Sequence, residues 1–315
     1  MQLPADLREK IEALLTSENR QILADAAESV SRKYRRLETG SLQIASDAEA
    51  RAYLATRFPA TWCAVTEVLN RLKEINPNFN PSTSLDLGAG PGTASIAAQY
   101  HWPELELSML EPNTNLSAIG QALAGGNWES ARVENYAFDK EYDLAIASYV
   151  FNEVEGDLSP ILQKIWEKSS VFVMIEPGTK QGYATILKAR DYFLSIGANI
   201  IAPCPHHFEC PLKNSERWCH FSVRVDRSRL HRDIKRDATL SYEDEKFSYL
   251  IVSKQSTAKP LYRALGNPHG NKVISLETCQ ANGSFEIVSV SKRSNDYKLI
   301  KKSEWGDAPF EREDE

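Results

Sequence analysis

The sequence lacks the apolar and targeting segments that would place a protein in or across a membrane. It contains no run of 18 apolar residues, so no transmembrane helix is predicted. The segment MQLPADLREKIEALL, residues 1–15, mixes acidic with basic residues and resembles neither a signal peptide nor an arginine-rich presequence. We therefore expect a cytoplasmic protein with no membrane partner.

The sequence also lacks an excess of positive charge. The 315 residues carry a formal net charge of -6, which argues against a protein coated over its whole surface by nucleic acid. No DNA partner is expected, although local basic patches could bind RNA. With 42% hydrophobic and 25% charged residues and no internal repeats, the composition is that of a globular protein of one large domain or two ordinary ones.

Cysteine is scarce, yet three of the five cysteines fall in one short segment. The segment PCPHHFECPLKNSERWCH, residues 203–220, contains Cys204, Cys210 and Cys219, and Cys279 lies far downstream. Proline follows two of these cysteines and disfavours a helix or a central strand, because it fixes φ and has no backbone N–H. Three clustered thiols favour a metal site. The fifth cysteine, Cys63, lies in an apolar helical pattern and is predicted to be a small buried residue.

Disulfides, a structural zinc site and an iron–sulfur cluster could each explain the cysteine cluster. Disulfides are disfavoured because there is no secretory signal and no small disulfide-dense domain. Zinc sites usually use tight Cys-x2-4-Cys pairs, whereas the spacing here is Cys-x5-Cys-x8-Cys-x59-Cys. An iron–sulfur cluster tolerates looser spacing, and Cys-Pro steps recur in cluster-binding loops. A cluster is favoured, with zinc as the alternative.

Alternating helical and strand patterns predict an α/β protein in four parts. These are an N-terminal helical region at 1–79, a Rossmann-like core at 80–200, a cysteine-rich loop with a basic segment at 201–245, and C-terminal strands at 246–315 that complete the sheet. The strands predicted for the core are 83–87, 105–110, 131–134, 143–148 and 171–176. Later strands are predicted at 247–253, 272–278 and 285–290, and the turn Asn282-Gly283 would fold Cys279 back over the loop at Cys204.

The segment SLDLGAGPGTAS, residues 84–95, predicts a strand, a glycine-rich turn and a helix. Gly88, Gly90 and Gly92 allow a sharp turn and a close approach of the backbone to a ligand, at a helix N-terminus with free N–H groups. Glu111 ends the next predicted strand, where a carboxylate can accept both ribose hydroxyls of an adenosine. With Asp86 before the turn, this pattern resembles class I S-adenosylmethionine (SAM)-dependent methyltransferases. A tight structural turn without a ligand is the alternative.

The residues that would carry out methyl transfer are not evident. After the fourth predicted strand the chain reads SYVFNEV, residues 148–154, without the Asn/Asp-Pro-Pro-Tyr/Phe motif of exocyclic amino methylases. It also lacks the cysteine nucleophile that carbon-5 pyrimidine methylation requires. Asn152 and Glu153 could orient an acceptor or simply begin a solvated helix. No catalytic residue is assigned, and whether the chain transfers a methyl group stays open.

Two basic segments could contact phosphates, although an ordinary solvated charged face is the alternative. The first contains Arg224, Arg227, Arg229, Arg232, Lys235 and Arg236. The second contains Lys292, Arg293, Lys298, Lys301 and Lys302.

With these motifs, the chain resembles the methyltransferase-like small-ribosomal-subunit assembly factor family, which is known from mitochondria and has bacterial representatives. The resemblance is carried by ARAYLATRFPATWCAV (50–65), DLGAGPGT (86–93), APCPHHFECPL (202–212), WCHFSVRV (218–225), YEDEKFSYL (242–250) and WGD (305–307). It implies a class I SAM-methyltransferase fold, retained SAM binding, and association with small-subunit rRNA with or without catalysis. It also implies a [4Fe–4S] cluster held by Cys204, Cys210, Cys219 and Cys279. An iron- or redox-sensing role for that cluster is a third hypothesis.

Overall fold

Four helices precede the central sheet in the computed structural model, which describes residues 1–36, 44–235 and 240–310. They are α1 (Ala5–Leu15), α2 (Arg20–Arg36), α3 (Asp47–Thr56) and α4 (Phe58–Ile75). The N-terminus of α3 is capped by Ser46, whose hydroxyl accepts the backbone N–H of Glu49. Proline in the first turn fits the start of α4, because the N–H that it lacks has no helical partner there. No helix among the described residues is long and apolar enough to cross a membrane.

The central sheet has eight strands within the described ranges. They are β1 (Thr83–Leu87), β2 (Glu106–Leu110), β3 (Asn127–Glu129), β4 (Tyr142–Ser148), β5 (Ser169–Pro177), β6 (Asn199–Ala202), β7 (Phe221–Asp226) and β8 (Tyr242–Ser253). The order is β3-β2-β1-β4-β5-β8-β6, with the first five strands parallel and β8 antiparallel to β5 and β6. This is the class I methyltransferase arrangement, and the predicted fold class is confirmed.

Helices cover both faces of this sheet. Because its central strands are buried on both sides, they consist mainly of apolar residues. They are α5 (Thr93–His101), α6 (Thr114–Leu123), α7 (Ser159–Lys168) and α8 (Lys180–Ser195), with the short α9 (Arg229–Ile234) after β7. Successive residues of β4 serve opposite faces, as strand geometry requires. Leu144 and Ile146 pack in the core formed with α1 to α6, whereas Ala145 and Ala147 pack in the core formed with α7 and α8.

Within the central sheet, the structure corrects the strand predictions in two places. The strand predicted at 131–134 is wrong, because β3 ends at Glu129 and a short 3-10 helix (Val133–Asn135) follows. In that helix Val133 alone is buried. Strands β6 and β7 were not predicted from the sequence pattern. In β7 the buried residues Phe221, Val223 and Val225 alternate with polar ones, a strand signal that lies within a strongly charged segment.

The C-terminal part forms a second, antiparallel sheet beside the first. It contains β9 (Tyr262–Ala264), β10 (His269–Gly270), β11 (Val273–Gln280) and β12 (Phe285–Ser291), followed by α10 (Tyr297–Lys302). Of the strands predicted to complete the central sheet, only β8 does so. The β11–β12 hairpin is confirmed, with Gly283 in its turn at φ 89°. Within it, Cys279 lies opposite Phe285 on one side and Arg263 of β9 on the other.

Candidate functional site

The glycine turn connects β1 to α5 at the carboxyl edge of the sheet. Gly88 and Gly90 have φ angles of 68° and 57°, a region that side chains with a Cβ rarely adopt. A Cβ at Gly88 would also meet Val150 Cγ2 at 2.7 Å, so the turn packs directly on the segment after β4. A Cβ at Gly90 would meet no atom within 4 Å. Glycine is therefore required at 88 for space and backbone angle, and at 90 for backbone angle.

Two of the predicted cofactor residues, Asp86 and Gly92, stabilise the turn and the start of α5 and do not face the cavity beside the turn. Asp86 is 1% exposed, and its Oδ2 accepts both the N–H and the hydroxyl of Ser95 at 2.9 Å. Burial raises the pKa of Asp86 to about 7. Gly92 caps α5 with φ 76° and packs against the ring of Trp128. Neither residue lines the adjoining cavity.

Glu111, the other predicted acidic residue, lies at the cavity wall beside Gly88 and Gly90. Its Oε2 accepts the N–H of Gly90 and its Oε1 accepts the N–H of Asn113, both at 2.7 Å. Burial raises the pKa of Glu111, and these two hydrogen bonds oppose that shift. Each carboxylate oxygen keeps a further lone pair for a ligand hydroxyl.

The cavity has a volume of about 400 Å³, and part of its wall comes from outside the sheet. Ile44, Ala45 and Tyr53 line it from the N-terminal helical region. Asn113 Nδ2 donates to the carbonyl of Ile44 at 2.8 Å, which holds that region against the cavity. These lining residues could not be predicted from the sequence, because no local pattern indicates which distant segment covers a pocket.

The segment after β4 forms the opposite wall of the cavity. Tyr149 has φ 62°, and its hydroxyl donates to Glu245 Oε1 at 2.9 Å. Of the two residues considered for the acceptor, Glu153 lines the cavity. Asn152 does not, and its Oδ1 accepts the hydroxyl of Thr185 at 3.1 Å. The geometry assigns no catalytic base.

A fully buried carboxyl, Glu176 at the end of β5, supports this segment from below. Its Oε1 accepts the N–H of Phe151 at 2.8 Å, while its Oε2 has no hydrogen-bond partner among the described residues. Burial raises the pKa of Glu176 to about 8. The folded protein therefore holds this proton at neutral pH, whereas the unfolded chain does not.

We expect Glu176→Gln to flatten the pH dependence of stability. The folded pKa lies above the ordinary 4.5, so the free energy of unfolding falls as pH rises from about 4.5 to about 8. The glutamine variant stays neutral, and between pH 5 and 8 it should lose about 2–4 kcal/mol less than wild type, because a pKa difference of one corresponds to about 1.4 kcal/mol. Denaturant unfolding at both pH values measures this. Glu106→Gln, at an exposed site on β2, is the control and should keep the wild-type slope. An unchanged slope in Glu176→Gln would contradict the prediction.

The cysteine segment leaves the sheet at the end of β6 and rejoins it at the start of β7, since both strands pair with β8. The intervening loop therefore projects from one sheet edge toward the second sheet. Cys204, Cys210 and Cys219 of this loop line one cavity together with Cys279 of β11. The four cysteines that the spacing grouped are thus brought together.

Three of these four thiols have a polar partner. The sulfur of Cys204 accepts from Arg190 Nε at 3.3 Å. Tyr183 Oη lies 3.3 Å from Cys210 Sγ, and His206 Nε2 lies 3.3 Å from Cys279 Sγ. Burial raises the pKa values of Cys210, Cys219 and Cys279, and the neighbouring thiols raise them further. The thiols are therefore close enough to repel one another as thiolates.

No three His, Cys, Asp or Glu side chains within residues 1–36, 44–235 and 240–310 meet closely enough to share one metal ion. All five cysteines are free thiols. Cys63 is fully buried on α4, and burial raises its pKa to about 12, as predicted for a packing residue.

The two basic segments differ in how their charges are neutralised. In the first, Arg224 pairs with Asp244 at 2.9 Å, while Arg227 and Lys235 both pair with Glu243, at 2.9 and 3.2 Å. Arg229 and Arg232 are exposed, and Arg236 lies outside the described residues. In the second segment Lys292, Arg293, Lys298, Lys301 and Lys302 are all exposed. None of these five forms an ion pair with another described residue.

Comparison with known proteins places these features in a family. A family model described as mitochondrial small ribosomal subunit Rsm22 matches residues 47–309. The chain is 23% identical to the human mitochondrial ribosome assembly protein METTL17, over 81% of this chain and 61% of the relative. It is 25% identical to the mitochondrial Rsm22-cox11 tandem protein 2 of Schizosaccharomyces pombe, over 85% of this chain and 44% of the relative. The chain therefore spans less than two thirds of the length of these relatives.

These relatives contradict one expectation from the sequence. A cytoplasmic location was expected from the N-terminal residues, but the human and fission yeast relatives are mitochondrial proteins. The prediction of a cytoplasmic protein is therefore wrong.

Solved methyltransferase structures are similar to this chain at low identity. The plantazolicin methyltransferase BpumL, in complex with SAH, matches 80% of this chain and 100% of its own length, with 12% identity and a TM-score of 0.42. The magnesium protoporphyrin IX methyltransferase of Synechocystis, with bound SAM, matches 76% of this chain and 98% of its own, with 14% identity and a TM-score of 0.41.

Proposed function

Because this chain belongs to the Rsm22 family, we propose that it is a small ribosomal subunit assembly factor that binds rRNA through a methyltransferase-like domain. The observation that carries this proposal is the extent of the family match. Residues 47–309 include the glycine turn, both basic segments and all four cysteines of the cavity. The human relative is itself a ribosome assembly protein, and we propose the same role for this chain.

The glycine-turn cavity supports SAM as a ligand. Gly88 and Gly90 leave the backbone accessible, and Glu111 offers lone pairs that suit the two ribose hydroxyls. Asp86 and Gly92 would act on the ligand indirectly, by bracing the turn and the start of α5. Bound SAM would supply an electrophilic methyl group, while the chain's own residues bind and orient it.

The cysteine cavity supports a [4Fe–4S] cluster held by Cys204, Cys210, Cys219 and Cys279, with zinc as the alternative. In a cluster each thiolate binds a different iron, so four thiols can line one cavity without converging on one ion. Hydrogen-bond donors beside the sulfurs fit the outer shell that such a site requires. Metal–sulfur bonds would tie the loop after β6 to the second sheet.

The second basic segment supports the rRNA contact better than the first. Phosphate binding needs cations that are exposed and not already neutralised. Arg224, Arg227 and Lys235 are held by acidic side chains of β8, so their charge is largely cancelled locally. Lys292 and Arg293 are exposed beside β12 and have no such partner among the described residues. We therefore assign the main rRNA contact to the second segment, with Arg229 and Arg232 as additional contacts.

We expect the double variant Lys292→Gln, Arg293→Gln to bind a small-subunit rRNA fragment about tenfold more weakly at roughly 150 mM salt. Each lost phosphate contact should also lower the slope of log K against log salt by about one, so the slope should fall by about two. Fluorescence anisotropy over a salt series measures both quantities.

The matched control is Arg224→Gln, Lys235→Gln, which removes the same formal charge from the paired segment. Its slope should change by less than one. A larger loss in this control than in the test variant would place the contact on the first segment.

A second candidate function is SAM-dependent rRNA methylation. The observation that favours it is that the cavity extends to Ser148 and Glu153, at the position of an acceptor. Transfer of labelled methyl groups from SAM to immature small-subunit rRNA would establish it. A third role, iron or redox sensing, would appear as reversible loss of rRNA binding on oxidation of the metal site.

A further inference from the structure

Two buried arginines line the cysteine cavity. Arg190 of α8 is 2% exposed and Arg263 of β9 is 1% exposed. A guanidinium stays protonated in proteins, so both side chains keep their positive charge. A buried charge is costly unless a counter-charge accompanies it.

The contacts of Arg190 leave its charge poorly compensated. Its Nη2 donates to the carbonyl of Phe208 at 2.6 Å and its Nε donates to Cys204 Sγ, while its Nη1 has no hydrogen-bond partner among the described residues. Asp191 Oδ1 lies 3.9 Å from Nη1. That carboxylate is 41% exposed and is bound by Lys213 at 3.1 Å, so solvent and the lysine weaken its effect on the arginine.

Arg263 has no carboxylate partner in the described part of the chain. Its Nε donates to the carbonyl of Pro203 at 2.8 Å, and its Nη1 donates to the carbonyl of Gly306 at 2.6 Å. Its Nη2 has no partner among the same residues. These carbonyls satisfy hydrogen bonds but bring no negative charge.

The thiols can supply the missing charge only as thiolates. As neutral thiols, the four cysteines would leave two buried guanidiniums uncompensated. Metal binding removes the thiol protons. Four thiolates around a group with two positive charges, either zinc or an oxidised [4Fe–4S] core, carry two net negative charges, which two guanidiniums offset.

We propose that Arg190 and Arg263 are charge-matching residues that fit this cavity to a tetrathiolate metal group with two net negative charges. The inference rests on the proposed metal site and concerns what stabilises it. For an iron–sulfur cluster it also predicts the favoured oxidation state. One-electron reduction would add a third negative charge, which these two arginines do not offset.

Lys259 is a third cation in the neighbourhood of the cysteine cavity. Its ammonium donates to the carbonyl of Ile200, and it does not line the cavity. It therefore provides a control for a positive charge that is nearby but outside the wall.

The test compares Arg190→Gln, Arg263→Gln, the matching lysine variants and Lys259→Gln in the full chain, purified without oxygen. Iron and zinc analysis identifies the metal, a spectroelectrochemical titration gives the reduction potential, and a chelator gives the rate of metal release.

Each glutamine variant should have a lower reduction potential than wild type, because the more negative reduced form loses a compensating charge. Each should also release metal about tenfold faster. The lysine variants should remain near wild type, and Lys259→Gln should change less than either arginine variant.

Wild-type potentials and release rates in the glutamine variants would overturn the proposal. So would equal losses in the lysine and glutamine variants, since these would indicate that only the shape of arginine matters. If the glutamine variants do not fold, the lysine variants still decide, because charge matching requires them to keep the metal and its potential. A wild-type protein with about one zinc and no iron would refute the cluster. The charge-matching proposal would then be tested by zinc release alone. Each glutamine variant should release zinc faster than wild type, and the lysine variants should release it at a rate near wild type.

Discussion

Replacing Cys279 by serine is expected to remove the metal from the whole site. The other three cysteines lie on the loop between β6 and β7, whereas Cys279 lies on the second sheet, so it is the one proposed metal ligand that the second sheet supplies. Wild-type protein purified without oxygen should contain roughly four irons per chain and show a broad absorption band near ~400 nm. In Cys279→Ser both should fall to near zero. Losing the link should lower the free energy of unfolding by about 5 kcal/mol, or about 10 °C in Tm.

Cys63→Ala is the matched control for this prediction. Cys63 is also buried, but it packs in the core around α4 and does not line the cavity. The alanine variant should keep its iron and its absorption band. Equal iron loss in both variants would show that the metal depends on general stability and not on Cys279. Full iron content in Cys279→Ser would exclude Cys279 as a ligand.

The same variant also tests how the metal relates to rRNA binding. The second basic segment follows β12 in the second sheet, and β12 is the hairpin partner of the strand that carries Cys279. If the metal fixes that sheet against the loop, Cys279→Ser should also lose affinity for small-subunit rRNA. Wild-type affinity in the iron-free variant would separate the metal site from the RNA surface.

The sequence predicted the parts of this protein that depend on local pattern. Apolar runs indicated four of the five parallel strands, β1, β2, β4 and β5, and the Asn282-Gly283 turn indicated the β11–β12 hairpin. The cysteine spacing grouped four residues that do line one cavity. In each case the signal lies in neighbouring residues or in an unusual residue type.

Features that depend on long-range pairing could not be predicted in this way. Arg224 stands directly opposite Asp244 in the β7–β8 register, so its charge is cancelled by a residue twenty positions away. The first basic segment of the sequence therefore does not form an equally basic surface in the folded protein. Arg190 and Arg263 come from different elements, α8 and β9, and nothing local indicates that both line the cysteine cavity. Asp86 was predicted to contact the cofactor because it precedes the turn, whereas its carboxylate braces α5.

Replacing Glu111 by alanine is expected to weaken SAM binding about 30- to 100-fold, because the cavity loses a charged acceptor for the ribose hydroxyls. The N–H groups of Gly90 and Asn113 also lose their partner, so the turn itself relaxes. Glu111→Gln keeps one acceptor oxygen and should lose about tenfold. Isothermal titration of the full chain with SAM measures these affinities. Glu153→Ala is the control, because Glu153 lines the acceptor side of the same cavity, and it should change affinity by less than about threefold.

The result for Glu111→Ala separates the two candidate functions. If wild type does not bind SAM, the glycine motif is a structural turn and the protein binds rRNA without this cofactor. If wild type binds SAM and Glu111→Ala binds it equally well, the ligand lies elsewhere. If Glu111→Ala loses SAM but keeps rRNA affinity and supports subunit assembly, the methyltransferase-like domain acts as a docking scaffold, because catalysis would require the cofactor that this variant cannot hold. Loss of assembly together with methyl transfer, at unchanged rRNA affinity, would instead identify an enzyme.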